Sequence, residues 1–205
     1  MIDLYYWGTP NGLKITIALE EMALDYQIYP INILENDQFQ TDFLAISPNN
    51  KIPAIVDQNG PNNQSISIFE SGAILQYLGR KTGQFYPQHE IARIQVEQWL
   101  MWQMGGLGPM LGQNHHFAKF AKEKIPYAIE RYITETKRLY GVLNKQLVGQ
   151  DYVAGEYSIA DMAIFPWLMR HEWQSIHLAE FPEVEAYIQR IQQRPAVQKA
   201  LALLK

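Results

Sequence analysis

An α/β domain followed by an all-α domain is the fold class that this sequence predicts. Three observations indicate it. Strand and helix patterns alternate at the start of the chain, a pair of short strands then interrupts the alternation, and only helical patterns follow residue 90. The chain has 205 residues, of which 47% are hydrophobic, enough to fill one large or two small cores.

The first four elements are predicted as strand, helix, strand and helix. The strands cover residues 2–7 and 26–33, and the helices cover 12–24 and 37–47. Aromatic and β-branched residues mark the strands, whereas Leu13 and Ile17 lie one helical turn apart on a single face. Pro48 ends the second helix.

Two further strands and a helix complete this part of the chain. The strands are predicted at 51–57 and 65–71, separated by a loop rich in Gly, Pro and Asn, and the helix at 71–83 ends on glycine. The resulting order, βαβα-ββα, is that of a thioredoxin-like domain, which we expect to cover residues 1–82.

The second domain, residues 88–205, is predicted to be all-helical after a linker at about 82–89. Helical patterns occur at about 91–104, 107–120, 126–147, 158–172 and 182–192, with a short one after Pro195. Residues 98–118 contain no Asp, Glu, Lys or Arg, but their glycines, proline and amides predict a buried helix with a break rather than a membrane span.

Composition excludes several function classes. The formal net charge is −4 and the basic residues are dispersed, so nucleic acid is not an expected partner. The chain has no cysteine, which excludes disulfides, thiolate metal sites and a cysteine nucleophile. The N-terminal residues lack the pattern of a secretory signal, and we therefore expect a cytoplasmic protein.

The junction "WGTPNG" contains the first candidate site. Thr9 can cap the following helix, Pro10 suits its first turn, and the N–H groups around Asn11 and Gly12 would point outward. Such a helix start can stabilise an anion, including a thiolate. The alternative is a simple turn.

Two further motifs could bind a peptide-like ligand. Pro53 opens a strand, where statistics favour a trans bond after Ile52; a cis bond could expose the Ile52 main chain for pairing with an extended peptide. Glu70 and Ser71 begin a helix, either as a cap or as a site for the ammonium and carboxylate of an amino-acid end. Both alternatives are open at this stage.

Two motifs predict structure rather than chemistry. Ser158 and Asp161 in "SIAD" have the spacing of a capping box before an apolar helix. The segment from Asn114 to His116 has two histidines, but adjacent residues on a helix do not share a face and no acidic cluster is close in sequence. We therefore expect no metal.

The motifs together resemble those of the cytosolic glutathione transferases, over essentially the whole chain. "NNKIPAI", "FESGAIL" and "YSIADMAIFPW" carry this resemblance, and "TPNG", "GGLGPMLGQNHHF" and "IPYAIERY" are similar to the bacterial Nu-class enzymes. The resemblance implies the glutathione transferase architecture, a homodimer, and glutathione or glutathione disulfide as ligand. It also implies activity as a glutathione-dependent disulfide-bond oxidoreductase.

The resemblance assigns roles by position. It implies a cis bond before Pro53, with the Ile52 main chain pairing with the cysteinyl part of glutathione. The γ-glutamyl end would be bound by Glu70 and Ser71, the rest of the tripeptide would lie near Gln38 and Lys51, the sulfur would face Thr9 and Asn11, and Arg131 would reach the active site. Tyr5 and Tyr6 rank below Thr9 as sulfur ligands, and Asn11 occupies about the position where cysteine-type classes have their thiol.

These positions lead to three functional hypotheses. In the first, two glutathione molecules reduce a small disulfide by thiol exchange, and the protein supplies donors to the thiolate. In the second, the enzyme conjugates glutathione to electrophiles, with an apolar pocket from "LMWQMGGLGPML". The third is a non-catalytic binding module.

Overall fold

Four strands form one mixed sheet in the computed structural model, which describes residues 1–204. They are β1 (Ile2–Tyr6), β2 (Tyr26–Pro30), β3 (Ala54–Asp57) and β4 (Ile66–Phe69), arranged in the order β2-β1-β3-β4. β2 runs parallel to β1, whereas β3 is antiparallel to both β1 and β4. This is the sheet of a thioredoxin-like domain, as the sequence predicts.

Helices α1 (Pro10–Glu21), α2 (Thr41–Ile46) and α3 (Ser71–Thr82) accompany the sheet, and the last helix, α9 (Pro195–Ala202), joins them. α1 packs against both α3 and α9. It is therefore buried on all sides from Gly12 to Leu19, including its polar residues. The predicted helix at 37–47 is a 3₁₀ turn, Asp37–Phe39, followed by the shorter α2.

The second unit, Pro87–Arg194, contains α4 (Glu90–Trp102), α5 (Gly108–His115), α6 (Pro126–Gln146), α7 (Ile159–Leu168) and α8 (Pro182–Gln192). All ten residues of α7 are buried, which makes it the central helix of this unit. π-helical turns at Gln103–Leu107 and His116–Phe120 flank α5, and the first supplies the break expected between 98 and 118. Within residues 1–204, no helix has the length and apolar character needed to cross a membrane.

The two compact units divide between Tyr86 and Pro87, inside the predicted linker. The domain to which the final helix belongs differs from the prediction, which assigned this helix to the C-terminal domain. The segment beginning at Pro195 groups with the N-terminal unit because α9 packs on α1, with Val197 and Ala200 fully buried.

Candidate functional site

Three motifs far apart in the sequence meet at one edge of the sheet. Strand register aligns Tyr5 of β1 with Ala54 of β3, and Ala54 with Phe69 of β4. The end of β1, the start of β3 and the end of β4 therefore lie side by side. Consequently the turn carrying Thr9, the residues just before β3 and the start of α3 all emerge at this edge, which we call the site edge.

Thr9 caps α1, as the sequence predicts. Its backbone is extended, its Oγ1 accepts a hydrogen bond from the Gly12 N–H at 3.2 Å, and Pro10 occupies the first helical turn. This bond uses the hydroxyl oxygen only as an acceptor, and a hydroxyl also has one proton to donate. Capping of α1 and donation to a ligand are therefore compatible.

Gly12 permits an unusually close approach of strand and helix. A Cβ atom at this position would lie 2.4 Å from the Trp7 carbonyl oxygen and 2.8 Å from Cε2 of Tyr6. Backbone atoms cannot move aside cheaply, so only glycine fits. The turn between β1 and α1 is thereby held tightly against the end of β1.

The two tyrosines of β1 contribute to the core rather than to an open site. Tyr5 stacks on Tyr29 with 5.3 Å between ring centroids. The Tyr6 hydroxyl is buried and has no hydrogen-bond partner among residues 1–204. Burial raises the pKa of both phenols. These environments favour Thr9 over either tyrosine as the donor to a ligand sulfur.

The segment before β3 presents main-chain groups at the site edge. The Ile52–Pro53 peptide bond is cis, so the statistical expectation of a trans bond is wrong and the expectation from the family resemblance is confirmed. Ser47 Oγ donates to the Lys51 carbonyl at 2.8 Å and fixes the loop, while the Lys51 side chain is exposed. Among residues 1–204, the Ile52 N–H and C=O make no hydrogen bond.

The Glu70 side chain does not cap the start of α3. Glu70 has φ 71° and ψ 114° and makes no side-chain capping bond. Its exposed carboxylate instead accepts a hydrogen bond from Asn49 Nδ2 at 3.5 Å. The first N–H groups of a helix have no partner within it, so this start offers donors next to a carboxylate. The capping alternative for Glu70 is therefore wrong.

Lys14 is a member of this region that the sequence analysis missed. Its side chain is 1% exposed, and Nζ donates to Ser71 Oγ at 3.3 Å, linking α1 to the start of α3. Burial lowers the pKa of Lys14 to about 7, with the Glu70 charge acting in the opposite direction. A signal was present, because residues 12–19 are apolar around nearly the whole helix and a lysine there has no solvent-facing side.

The remaining predicted residues lie in different places. Gln38 is in the 3₁₀ turn before α2, where Nε2 donates to the Ile33 carbonyl at 3.5 Å and the buried Oε1 has no partner among residues 1–204. Arg131 is exposed on α6 in the second unit, where it lines a cleft of about 690 Å³ with Tyr127 and Met110. The roles of Gln38 and Arg131 in binding stay predictions.

The two structural motifs of the sequence lie in the second unit. Ser158 and Asp161 form the expected capping box at the start of α7. Asn114 Nδ2 donates to Thr136 Oγ1 at 2.9 Å and to the Gln174 carbonyl at 3.0 Å, and His115 packs between Trp167 and Trp173. In the described part of the chain, no group of three or more His, Cys, Asp or Glu residues is arranged to hold a metal.

The site edge combines a tight turn, the start of α3 and an Ile52 main chain that makes no hydrogen bond among residues 1–204, and these groups can accommodate an extended peptide-like ligand. Residues 2–80 match the family model of the glutathione S-transferase N-terminal domain, and residues 109–195 match that of the C-terminal domain. The chain belongs to the glutathione transferase family. The resemblance inferred from the sequence motifs is confirmed.

The similar proteins include disulfide-bond oxidoreductases. The chain is 54% identical to the disulfide-bond oxidoreductase YfcG of Escherichia coli, over 98% of this chain and 94% of that protein. It is 43% identical to the disulfide-bond oxidoreductase YghU of the same organism, over 97% of this chain and 73% of that protein.

A solved glutathione transferase from Pseudomonas putida, with one glutathione disulfide bound per subunit, superposes with a TM-score of 0.93. It is 44% identical, and the match covers 98% of this chain and 90% of that one.

Proposed function

We propose that this protein is a glutathione-dependent disulfide-bond oxidoreductase that reduces small disulfides. The observation that carries the proposal is the site edge, where Thr9, the Ile52 main chain and the start of α3 meet in a chain without cysteine. The similarity to YfcG and YghU supports the same activity.

The residues of the site edge fit glutathione along its length. The Ile52 N–H and C=O, unpaired within residues 1–204, can form two strand-like hydrogen bonds with the cysteinyl unit. The γ-glutamyl carboxylate would take the N–H groups at the start of α3 and the Ser71 hydroxyl, and its ammonium would pair with Glu70. Gln38 and Lys51 would lie near the remainder of the tripeptide.

Thr9 and Asn11 would stabilise the sulfur as a thiolate. A free thiol has a pKa of about 8.5, and lowering it by about two units requires roughly 2.7 kcal/mol of preference for the thiolate. Hydrogen bonds to a charged acceptor contribute about 1.5–3 kcal/mol each. One hydrogen-bond donor from each of these two residues would therefore be enough to stabilise the thiolate by that amount.

When bound, glutathione supplies the thiols, and two of them reduce one disulfide by successive exchange with the transfer of two electrons. The protein contributes no sulfur of its own, because it has no cysteine. Its part is to hold the tripeptide by the backbone, to favour the thiolate and to keep the sulfur accessible first to the disulfide substrate and then, in the mixed disulfide, to the second glutathione thiol. Arg131, a cation exposed on α6, is proposed to attract the carboxylates of a glutathionyl ligand.

Conjugation of glutathione to electrophiles is the second candidate, since it would use the same thiolate. Part of the apolar stretch proposed to form its pocket is used in packing, since Leu100, Leu107 and Leu111 are fully buried, whereas Met110 lines the cleft that contains Arg131. Comparing turnover of an aryl halide with that of a small dialkyl disulfide on one preparation separates the two reactions. Failure of the protein to be retained on immobilised glutathione would favour the non-catalytic module.

We further propose a cytoplasmic homodimer. Ile91, Ile94 and Met101 are exposed along α4 and are 66%, 44% and 50% accessible, so they offer apolar surface to a second copy. Light scattering at micromolar concentration measures the mass directly. A reducing compartment also suits an enzyme that uses a free thiol.

The central experiment replaces the two donors to the sulfur. Thr9→Ala combined with Asn11→Ala should lower turnover of a small disulfide at saturating glutathione by about tenfold or more, since hydrogen bonds to the thiolate are lost. Thr9→Ser keeps both the hydroxyl and the cap and serves as the matched control. Unchanged turnover in the folded double variant would remove both residues from the mechanism.

A further inference from the structure

A second cleft lies within the helical unit, between α4 and the end of α6. It has a volume of about 580 Å³ and shares no lining residue with the cleft that contains Arg131. α4 packs on α7, whereas α6 packs on α5 and α8, so the cleft lies between two helices whose main packing partners are elsewhere. Four glutamines, two tryptophans and the loop at 153–155 line it, and we call it the amide cleft. Its six large side chains are Gln95, Gln98, Trp99, Trp102, Gln146 and Gln150.

The loop that forms one wall of the amide cleft is held by hydrogen bonds. Val153 is fully buried, its N–H donates to Asp161 Oδ1 at 3.0 Å, and its carbonyl accepts from Gln146 Nε2 at 2.8 Å. The Gly155 N–H donates to the Tyr152 carbonyl at 3.1 Å, and the φ of 90° at Gly155 favours glycine. Because these contacts already order the loop, a ligand would not have to do so, and the cleft is preformed.

The side chains that α4 contributes to the cleft have unused hydrogen-bonding groups. They follow the i, i+3, i+4, i+7 spacing of a single helix face: Gln95, Gln98, Trp99 and Trp102. The two amides are exposed, the two indoles are half-buried, and none of these four polar groups makes a hydrogen bond among residues 1–204. The two indole rings meet edge to face, at 74° with 5.1 Å between centroids, so the pair covers at most one indole face. Aromatic faces and amides are therefore available together.

Charge is excluded from the lining of the amide cleft. Among the described residues that line it, none is Asp, Glu, Lys, Arg or His. Several charged residues on the same segments form ion pairs: Arg93 with Glu90 and Glu97, and Asp151 with Arg190. Lys145 and Glu156, which adjoin lining residues in the sequence, are both exposed and have opposite charges. A charged ligand group would find no counter-charge in the lining, which favours an uncharged ligand.

We propose that the amide cleft binds an uncharged purine, either as the free base or as a nucleoside. A flat aromatic base stacks on an indole face, and any base can do so. The edge of a purine has both donors and acceptors, and a glutamine amide pairs with adenine through one donor and one acceptor. A sugar alone would have hydroxyls but no flat ring, and a nucleotide phosphate would lack a cation. The inference does not rest on the proposed function, because glutathione takes no part in it.

The first arm of the test uses the wild-type protein and adenosine, with and without saturating glutathione disulfide. Calorimetry should give a dissociation constant on the order of 100 µM, from the binding energy per atom usual for ligands of this size. Glutathione disulfide should leave that constant unchanged. Saturation-transfer NMR should show stronger transfer to the purine protons than to the ribose protons. AMP should bind no more tightly than adenosine, and glucose should not bind at the same concentrations.

The second arm measures adenosine binding to variants of the cleft. Trp99→Ala should weaken binding about tenfold or more because a stacking face is lost, whereas Trp99→Phe should retain most of the affinity. Gln98→Ala should weaken binding about fivefold, since one amide is lost. Gln189→Ala removes an exposed amide from α8, outside the cleft, and is the matched control with unchanged affinity.

Four results would overturn the purine site, and none of them bears on disulfide reduction. They are no adenosine binding at millimolar concentration, displacement of adenosine by glutathione disulfide, AMP binding about tenfold tighter than adenosine, and wild-type affinity in folded Trp99→Ala and Gln98→Ala. Light scattering on the same samples separates one further case, since an altered mass of these variants without adenosine binding to the wild type assigns the cleft to a contact between copies. If Trp99→Ala does not fold, Gln98→Ala at its exposed position and the wild-type ligand series decide.

Discussion

The starts of α7 and α3 differ in how a carboxylate serves the N-terminal end of the helix. At the start of α7, the fully buried Asp161 accepts hydrogen bonds from the Ser158 N–H at 2.8 Å, the Val153 N–H at 3.0 Å and the Tyr187 hydroxyl at 2.9 Å. At the start of α3, Glu70 makes no capping bond and its carboxylate is exposed. The first start is closed by the protein, and the second is open.

The difference separates a folding role from a binding role. A helix start leaves N–H groups without intrahelical partners, and these must be satisfied by side chains, water or a ligand. α7 has no access to water, since all its residues are buried, so its start must be closed from within. α3 begins at the site edge, where its unsatisfied donors can be used by an anion.

Removing the Asp161 carboxylate should have the largest effect on the free energy of unfolding. Asp161→Ala removes the acceptor of four buried donors, the fourth being the Ser158 hydroxyl, and we expect the free energy of unfolding to fall by about 3–5 kcal/mol. Urea unfolding followed by circular dichroism measures it. A loss below about 1 kcal/mol would show that the start of α7 is not closed in the way described.

A pH effect of intermediate size should come from His115, which lies in the same unit as α7. Burial, together with Arg170 and Lys119, lowers the pKa of His115 to about 4. In the unfolded chain a histidine takes up its proton near pH 6.5, so stability is lost as the pH falls below that value, at about 1.4 kcal/mol per unit.

Denaturant unfolding at pH 7, 5.5 and 4.5 checks this expectation. His115→Gln should flatten the dependence, whereas His89→Gln at the exposed start of α4 should retain the wild-type slope. Parallel curves for wild type and His115→Gln would assign the acid sensitivity to other groups.

The smallest effect should appear at the open start. Ser71→Ala removes one donor to the ligand carboxylate and should raise the KM for glutathione about tenfold, equivalent to roughly 1.4 kcal/mol. Ser158→Ala is the matched control at the closed start, where we expect about 1 kcal/mol of lost stability and an unchanged KM. Similar stability losses and similar KM values for the two variants would abolish the distinction between the two starts.

Local patterns in the sequence were sufficient for most of the fold. The spacing of Leu13 and Ile17, the cap at Thr9 and the box formed by Ser158 and Asp161 depend on residues within a turn or two of each other, and the structure has all of them. The site motifs were located from the sequence for the same reason. Their assembly at one edge depends on the strand order β2-β1-β3-β4, which no local pattern specifies.

Features that depend on tertiary contacts were not predictable in this way. The contact between Lys14 and Ser71 joins α1 to α3, 57 residues apart in the sequence, and the packing of α9 on α1 places the last helix in the N-terminal unit. The cis bond before Pro53 contradicts the general preference of X-Pro bonds. The family resemblance, rather than any local pattern, gave the correct expectation there.

The close approach at Gly12 has a consequence for how this site can change. The close approach of the turn to the end of β1 requires glycine at position 12, whereas position 11 is not subject to that restriction. Asn11→Cys would then place a thiol on the first turn of α1, where a helix start lowers the pKa of a thiol. A single substitution would then distinguish an enzyme that relies on the thiol of glutathione from one that has a cysteine nucleophile of its own.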